Sequence, residues 1–263
     1  MNDNAKLFTD GQAYERVMGR WSQLVATQFL DWLGLPNGLS WVDVGCGNGA
    51  FTEILIDRCA PASVTAVDPS EGQLEYARTR PGTKSAQFRV GDAQALPFGN
   101  AEFEAAAMAL VISFVPDPAK AAAEMARVVR PGGWAATYMW DVEGGGLPTS
   151  PMYRAMKLLG LPYVTPPGSV NSRMEAMQGF WQRAGLRGIE TRVIRIPVTF
   201  ANFDDYWESN ILLVGPLGQA LARLPAAERE RLKNHLRETL PAAPDRTITH
   251  EAFANAVKGQ VPG

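Results

Sequence analysis

Apolar residues recur with two different periods along the first 141 residues of the chain. Short runs rich in valine, isoleucine and alanine predict strands, and longer stretches with apolar residues every three or four positions predict helices. One predicted strand ends near Val44, and the others cover residues 63–68, 86–90, 104–112 and 134–140. The predicted helices cover residues 12–33, 51–59, 71–79 and 118–130. This alternation predicts an α/β, doubly wound fold, in which a parallel sheet carries helices on both faces and binds ligands at the carboxyl ends of its strands.

Beyond residue 141 the alternation is interrupted twice. A helix at 172–184 and a strand at 189–199 resume the pattern, and residues 247–258 predict a last strand. We therefore expect six segments: an N-terminal helical segment over the cofactor site (1–37), the cofactor-binding core (38–141), a loop and helical insertion (142–170), a continuation of the core (171–200), a helical cap (201–245), and the last strand with a tail (246–263).

The most informative segment is a glycine-rich turn after the first strand, Val42-Asp43-Val44-Gly45-Cys46-Gly47-Asn48-Gly49-Ala50. Its glycines let the backbone turn tightly and approach a ligand where a Cβ would intrude. The next helix directs its unpaired N–H groups and positive dipole end at the turn, which favours a nucleotide-like cofactor. Because Gly45, Gly47 and Ala50 also fit the dinucleotide pattern G-x-G-x-x-G/A, the turn alone leaves a nicotinamide or flavin enzyme open.

Three acidic residues near the ends of predicted strands narrow the choice of cofactor. Asp43, at the mouth of the first strand, suits a cofactor that carries a cation and would repel a pyrophosphate. Asp68 ends the second strand, where its carboxylate can accept hydrogen bonds from the ribose hydroxyls of either cofactor. Asp92 follows the third strand and can accept a hydrogen bond from an adenine amino group, while the apolar segment Leu96-Pro97-Phe98 covers the ring.

In chain order these segments, with Val128-Val129-Arg130-Pro131-Gly132-Gly133 after them, resemble class I S-adenosylmethionine-dependent methyltransferases. The resemblance covers residues 40–141 and is to the small-molecule type (methyltransferase type 11 domain), which includes the ubiquinone and menaquinone biosynthesis methyltransferases. It implies a Rossmann-like, seven-stranded, mostly parallel sheet with an antiparallel last strand and helical cap insertions. It also implies S-adenosylmethionine as cofactor, S-adenosylhomocysteine as product, and in-line methyl transfer that depends mainly on positioning the reactants.

The resemblance implies a cofactor site at the glycine turn and at the ends of the following strands. The expected cofactor-binding residues are Asp43, Gly45, Cys46, Gly47, Asp68, Pro69, Asp92, Ala93 and Leu110. The expected acceptor-side residues are Tyr14, Arg16, Trp140 and Asp141. We assign no catalytic base, because Ser113 and Phe114 stand where some family members have histidines. The two histidines of the chain, His235 and His250, are expected to be solvated and structural, respectively.

Composition restricts the partners of the protein. The net charge is −2 and no basic cluster stands out, so we do not expect nucleic-acid binding. Two cysteines provide neither a disulfide framework nor metal-ligand spacing, and we expect no metal. We find no signal region and no apolar run of membrane-spanning length, which predicts a cytoplasmic protein without a membrane span. Aromatic residues in both insertions favour a hydrophobic or aromatic small-molecule acceptor, and the oligomeric state is not predicted.

Two other classes of protein stay open on the sequence. A nicotinamide-dependent oxidoreductase would use the same glycine turn, but we identify no Tyr-x-x-x-Lys pair or comparable hydride-transfer arrangement in the chain. A non-catalytic module that binds S-adenosylmethionine would need a filled acceptor pocket, which a sequence does not reveal. Selective binding of S-adenosylmethionine over NADH would distinguish a methyltransferase from an oxidoreductase. Turnover of candidate acceptors would distinguish a methyltransferase from a non-catalytic module.

Overall fold

Seven strands form one sheet in the part of the chain that the computed structural model describes, residues 19–211 and 216–263. They are β1 (Ser40–Val44), β2 (Ser63–Asp68), β3 (Ala86–Val90), β4 (Phe103–Ala109), β5 (Val129–Trp140), β6 (Arg187–Phe200) and β7 (Ile248–Gln260). Their order across the sheet is β3-β2-β1-β4-β5-β7-β6. Neighbours from β3 to β5 pair in parallel, and β7 lies antiparallel between β5 and β6. The predicted Rossmann-like fold with an antiparallel last strand is confirmed.

Helices lie between the strands in the order that the hydrophobic periodicity predicts. They are α1 (Arg20–Leu33), α2 (Ala50–Cys59), α3 (Glu71–Thr79), α4 (Pro118–Val128), α5 (Ser150–Leu158), α6 (Met174–Arg183), α7 (Phe203–Ile211), α8 (Pro216–Arg223) and α9 (Ala226–Thr239). Short 3-10 turns occur at Pro81–Thr83, Ile112–Phe114 and Ser169–Ser172. The first residues of the helix predicted over 12–33 lie outside the described part of the chain.

Two predicted strand boundaries are wrong. The fourth strand ends at Ala109 instead of residue 112, because Leu110 has a left-handed φ of 60° and a 3-10 turn follows. The fifth strand begins at Val129 instead of residue 134. There β5 advances from Val129 to Trp134 while its partner β4 advances only from Phe103 to Ala105, so the Pro-Gly-Gly segment forms a bulge inside β5 rather than a turn before it.

The two faces of the sheet carry separate apolar cores. On one face, α1, α2 and the cap helices pack around Phe29, Tyr138 and Trp207, all of them buried. On the other face, α4 and α6 pack around Met108, Met125 and Trp181. Trp181 also donates a hydrogen bond from Nε1 to the carbonyl oxygen of Ala135 in β5 at 2.9 Å, which fixes α6 to the sheet.

The β6–β7 pair extends past the carboxyl edge of the sheet. β5 pairs with β7 only as far as Ala254, whereas β6 continues to pair with β7 as far as Ile248. Six further residue pairs at about 3.3 Å each make an extension of about 20 Å. One face of this extension is buried under the cap helices, with side chains Ile194, Ile196, Val198 and Phe200. The cap therefore lies above the edge where α/β sheets bind ligands.

We expect Phe29→Ala to lower the free energy of unfolding by about 3–5 kcal/mol, because it leaves a cavity between α1 and the sheet. The Phe29 side chain is fully buried, and its ring centroid lies 4.6 Å from that of Tyr138 and 6.2 Å from that of Phe51. Urea denaturation followed by circular dichroism measures the change. The matched control on the same helix is Leu24→Ala, since Leu24 is 44% exposed and its loss should change stability by less than about 0.5 kcal/mol. Equal effects of the two substitutions would contradict the docking of α1.

Candidate cofactor and acceptor site

The glycine turn is held to the neighbouring strand by its own backbone. The N–H groups of Gly45 and Cys46 both donate to the carbonyl oxygen of Val67 at the end of β2, at 2.7 and 3.0 Å. Helix α2 begins immediately afterwards at Ala50, and its N-cap residue Gly49 provides no side-chain cap. The N–H of Ala50 donates to Oδ1 of Asn48 at 3.2 Å, and the positive dipole end of α2 is directed at the glycine turn.

Gly45 is where the turn requires glycine. Its φ is +76°, and a Cβ added there would lie 2.7 Å from both γ-carbons of Val111. Val111 belongs to the segment that follows β4, so this contact closes the cofactor turn against the neighbouring strand end. A side chain at position 45 would both strain the backbone and displace that segment.

Asp68 lies directly beside the turn. Its Oδ2 accepts the N–H of Gly47 at 2.9 Å, and its Oδ1 accepts the N–H of Ser70, also at 2.9 Å. The N-cap of α3 is Ser70, so Asp68 does not have the capping role that a position near the start of a helix would allow. Burial raises the pKa of Asp68, while these two hydrogen bonds lower it. Each carboxylate oxygen keeps a further lone pair with which to accept a ligand hydroxyl.

Asp43 lies inside β1 rather than at its mouth, and it is fully buried. Its Oδ2 accepts the hydroxyl of Thr52 on α2 at 2.6 Å, while its Oδ1 has no hydrogen-bond partner among the described residues. Desolvation raises the pKa of Asp43 from 3.8 to about 7; the Thr52 hydrogen bond lowers it, and the charge of Asp68 raises it further. A buried carboxylate oxygen without a partner is strongly destabilising, and a cation placed next to it would remove that penalty.

The other predicted cofactor residues differ in their exposure. Cys46 is buried in the turn, and burial raises the pKa of its thiol. Pro69 is exposed just beyond β2, and Ala93 is buried beyond β3. Asp92 is exposed, and its carboxylate accepts the backbone and side-chain N–H groups of Gln94 at 2.8–3.2 Å. Asp92 thus stabilises its own turn in this structure, as turn aspartates commonly do.

Leu110 directly follows β4 and has a φ of +60°, and its N–H donates to the carbonyl oxygen of Tyr138 at 2.9 Å. A branched residue in the left-handed region is strained, and such strain concentrates at functional sites. The sequence placed Leu110 in the cofactor site but gave no signal of this conformation. Sequence reasoning also missed Thr52, whose place opposite Asp43 depends on how α2 packs against β1.

Two of the predicted acceptor-side residues, Trp140 and Asp141, lie at the end of β5. Trp140 is buried with its Nε1 unpaired among the described residues, and Asp141 accepts the N–H of Gly144 at 2.7 Å. Asp141 also lines an open cavity of about 530 Å³, together with Glu143, Gly144, Arg173, Met174, Glu175, Val193, Arg195, Phe253 and Asn255. That cavity opens on the face of the β6–β7 extension opposite to the cap. Tyr14 and Arg16 lie outside the described residues, so their predicted role is untested.

The expectation that the chain has no Tyr-x-x-x-Lys pair is wrong, because Tyr153 and Lys157 on α5 have that spacing. Burial, however, raises the pKa of Tyr153 to about 12, whereas a tyrosine that transfers protons near neutral pH needs a lowered one. Its hydroxyl lies 3.5 Å from the carbonyl oxygen of Val164, and its ring packs edge-on against Tyr163. These contacts favour a packing role for Tyr153.

The central part of the chain is similar in sequence to known methyltransferases. Residues 42–137 match the family described as methyltransferase domain. The chain is 38% identical over 114 residues to demethylmenaquinone methyltransferase from Renibacterium salmoninarum, a match that covers 43% of this chain and 45% of that protein. It is 36% identical over 123 residues to 2-methyl-6-phytyl-1,4-hydroquinone methyltransferase 2, chloroplastic, from Oryza sativa subsp. japonica, covering 46% of this chain and 35% of that protein.

The fold as a whole also has solved counterparts. Phosphoethanolamine N-methyltransferase 2 from Haemonchus contortus, in complex with S-adenosyl-L-methionine, superposes with a TM-score of 0.58 at 18% identity, covering 99% of this chain and 57% of that one. This likeness shows the fold. Residues 42–137 match the methyltransferase domain family, as the sequence motifs implied, and the fold is like that of this solved N-methyltransferase. The match to the two curated relatives spans less than half of the length of each.

Residues 19–211 and 216–263 lack two further features. No group of histidine, cysteine, aspartate and glutamate side chains there could hold a metal ion. No helix in the same ranges is long and apolar enough to cross a lipid bilayer.

We expect Gly45→Ala to lower the free energy of unfolding more than Gly38→Ala does. Both glycines have a positive φ, +76° and +80°, but only the Cβ at position 45 meets another residue, since nothing lies within 4 Å of position 38. The conformational strain should cost about 1–2 kcal/mol at either position. The contact with Val111 should add about 1–3 kcal/mol at position 45.

Chemical denaturation of four variants tests this expectation: the two single glycine substitutions, Val111→Ala, and Gly45→Ala combined with Val111→Ala. Removing the γ-carbons of Val111 should recover the additional loss, which a double-mutant cycle measures as a coupling free energy. Additive effects in that cycle would refute the close approach of the turn to the segment after β4.

Proposed function

We propose that the protein transfers a methyl group from S-adenosylmethionine to a small-molecule acceptor and leaves S-adenosylhomocysteine as the product. The observation that carries the proposal is the pair of carboxylates beside one glycine turn, Asp43 inside β1 and Asp68 at the end of β2. Two acids at this place suit a cationic ligand with hydroxyl groups and disfavour a pyrophosphate. The match of residues 42–137 to a methyltransferase domain supports the same cofactor.

The proposed roles follow from the geometry of each residue. Asp43 is proposed to accept a hydrogen bond from the ammonium group of the cofactor, since its Oδ1 has no partner among the described residues. Asp68 accepts from the ribose hydroxyls through its remaining lone pairs. The glycines admit the ligand to the backbone, and the other proposed contacts are Cys46, Pro69, Asp92, Ala93 and Leu110. Bound S-adenosylmethionine supplies a methyl group activated by its sulfonium.

The acceptor is proposed to be a hydrophobic or aromatic small molecule bound beneath the cap. The two curated relatives are named for a hydroquinone and for demethylmenaquinone, both of them ring compounds. The cap region of this chain presents aromatic side chains above the carboxyl edge of the sheet, and Trp140 lies among them. Trp140 and Asp141, and also Tyr14 and Arg16, remain proposed acceptor-side residues. A cap of this kind excludes water and orients the acceptor, which are the main requirements for in-line transfer.

The proposed arrangement of segments keeps the boundaries expected from the sequence. The cofactor is bound by residues 38–141, and the acceptor lies between that core and the two insertions at 142–170 and 201–245. We also propose a cytoplasmic location.

Replacement of Asp68 by alanine should weaken the binding of S-adenosylmethionine about 10- to 100-fold, because it removes two hydrogen bonds between the ribose and a charged group. Isothermal titration calorimetry of the purified protein measures the affinity, with NADH as the competing cofactor. Asp57→Ala is the matched control, since Asp57 is an exposed aspartate on α2 outside the turn. Binding of NADH in preference to S-adenosylmethionine would overturn the proposal.

Binding of S-adenosylmethionine should weaken as the pH falls from 7.5 to 5.5. The pKa of Asp43 in the free protein is raised to about 7, so its carboxyl group is increasingly protonated below that pH and loses its attraction for an ammonium group. Binding should therefore release a proton, and the affinity should fall by up to about tenfold per pH unit.

Calorimetry in buffers of different ionisation enthalpy counts the released protons. In Asp43→Asn the binding should be weak at all these pH values, and the proton release that Asp43 contributes should be absent. The Asn side chain can still accept the hydroxyl of Thr52, so this variant keeps the local packing. An affinity of the unsubstituted protein that does not change between pH 5.5 and 7.5 would contradict the role given to Asp43.

A further inference from the structure

His250, on the β7 part of the extension, has a defined tautomer. Its Nε2 lies 2.7 Å from the carbonyl oxygen of Pro148. A carbonyl oxygen can only accept a hydrogen bond, so Nε2 carries the proton. In the neutral ring the lone pair is then on Nδ1. The loop after β5 thus fixes the orientation of the imidazole and determines which nitrogen can act as a base.

The free lone pair of His250 belongs to a cluster of three packed rings that carries a second unpaired polar atom. Among the described residues, neither Nδ1 of His250 nor Oη of Tyr206 has a hydrogen-bond partner, and both atoms are inaccessible to solvent. The two rings meet edge to face with centroids 6.4 Å apart, and Phe200 packs against both. Each unsatisfied buried polar group costs about 1–3 kcal/mol, so a pair of them inside an apolar cluster is typical of a ligand site.

The charged and titratable groups around this pair set its protonation. Burial lowers the pKa of His250, the hydrogen bond to Pro148 raises it, and the positive charge of Arg154 on α5 lowers it. Burial also raises the pKa of Tyr206. His250 is therefore neutral near pH 7 and can accept a proton, while Tyr206 keeps its hydroxyl proton and can donate a hydrogen bond.

The pair lies on the cap side of the extension. Side chains alternate between the two faces of a strand, so His250 faces the same side as Ala252 and Ala254. Ala254 pairs with Trp140 at the carboxyl end of β5, where a third unpaired polar atom, the Nε1 of Trp140, is also buried. This is the region to which the proposed function assigns the acceptor.

We propose that His250 and Tyr206 bind a hydroxyl group of the methyl acceptor, and that Nδ1 of His250 accepts its proton. This inference rests on the proposed methyl transfer. The O–H bond breaks and its electron pair remains on oxygen, which forms the new bond to the methyl carbon. The S–CH3 bond breaks with its pair remaining on sulfur, and the proton forms an N–H bond at Nδ1, which leaves an imidazolium. Tyr206 donates its hydroxyl proton as a hydrogen bond to the same acceptor oxygen.

Two substitutions separate this role from a purely structural one. In His250→Gln the side-chain amide can reach the position of Nε2 and keep the hydrogen bond to Pro148, while the lone pair of Nδ1 is lost. In His250→Asn the amide reaches only the position of Nδ1, so the hydrogen bond to Pro148 is lost as well. A structural histidine would tolerate glutamine, whereas a base would tolerate neither substitution.

The test uses 4-nitrophenol as a hydroxyl probe whose phenolate absorbs visible light. The full-length protein is saturated with S-adenosylhomocysteine, and the absorbance of the bound probe is followed against pH. We expect binding to lower the pKa of the probe by about one unit, a tenfold rise in the ratio of phenolate to phenol, because Nδ1 takes the proton and Tyr206 stabilises the phenolate. The shift should disappear in His250→Gln and His250→Asn and should be smaller in Tyr206→Phe.

The controls separate failure of this inference from failure of the proposed function. Calorimetry with S-adenosylhomocysteine is run on every variant, and unchanged binding there shows that the cofactor site is intact. His235→Gln, a histidine substitution on α9 away from the pair, should leave the probe shift unchanged. Absence of probe binding to the cofactor-saturated protein, or an undiminished shift in His250→Gln, would overturn the inference. If the unsubstituted protein does not bind S-adenosylhomocysteine, the proposed function is overturned instead.

Discussion

The burial of Asp43 inside β1 is the constraint on which the cofactor region depends. A carboxylate in the middle of a sheet is tolerated only if its neighbours supply hydrogen bonds or if it takes up a proton. Thr52 supplies one hydrogen bond, and burial raises the pKa from 3.8 to about 7. At a pH between 3.8 and about 7, Asp43 of the folded protein holds a proton that the unfolded chain has released. Asp43 therefore makes the ligand-free protein less stable as the pH rises through this range. The fold therefore maintains a destabilising group at the place where a cationic ligand would neutralise its charge.

The extension formed by β6 and β7 covers the region to which the proposed function assigns the acceptor. A parallel sheet alone ends in loops at its carboxyl edge and offers a bound ligand little protection from water. Here two antiparallel strands continue past β5, and the cap helices between them pack on their buried face. The insertion after β5 adds α5 and the carbonyl oxygen of Pro148, which holds His250. The enclosing structure is thus built on strands, which hold side chains more rigidly than loops do.

The sequence predicted those features that depend on local chemistry. The strand–helix alternation, the glycine turn and the acids near the strand ends follow from short-range periodicity and turn preferences. The left-handed Leu110 and the bulge at Gly132 could not be predicted, because each results from pairing between β5 and its neighbour β4. The same is true of His250, whose hydrogen-bond partner lies 102 residues away in sequence. Asp43 was recognised from its place before the glycines, but its complete burial depends on the packing of α2 against β1.

The unpaired polar atoms that bear on function fall at two places, beside the glycine turn and beneath the cap. At the turn the unpaired atom is an anionic oxygen, and beneath the cap the atoms are neutral donors and acceptors. This difference matches the two reactants of the proposed reaction, a cation and a neutral small molecule. A ligand that pairs with these atoms removes a desolvation penalty that the folded protein otherwise carries, so binding and folding stability are linked at both places. Four of the six buried side-chain atoms without a partner among the described residues are thus ones that the proposed cofactor and acceptor would use, as expected for sites shaped by function at the expense of stability.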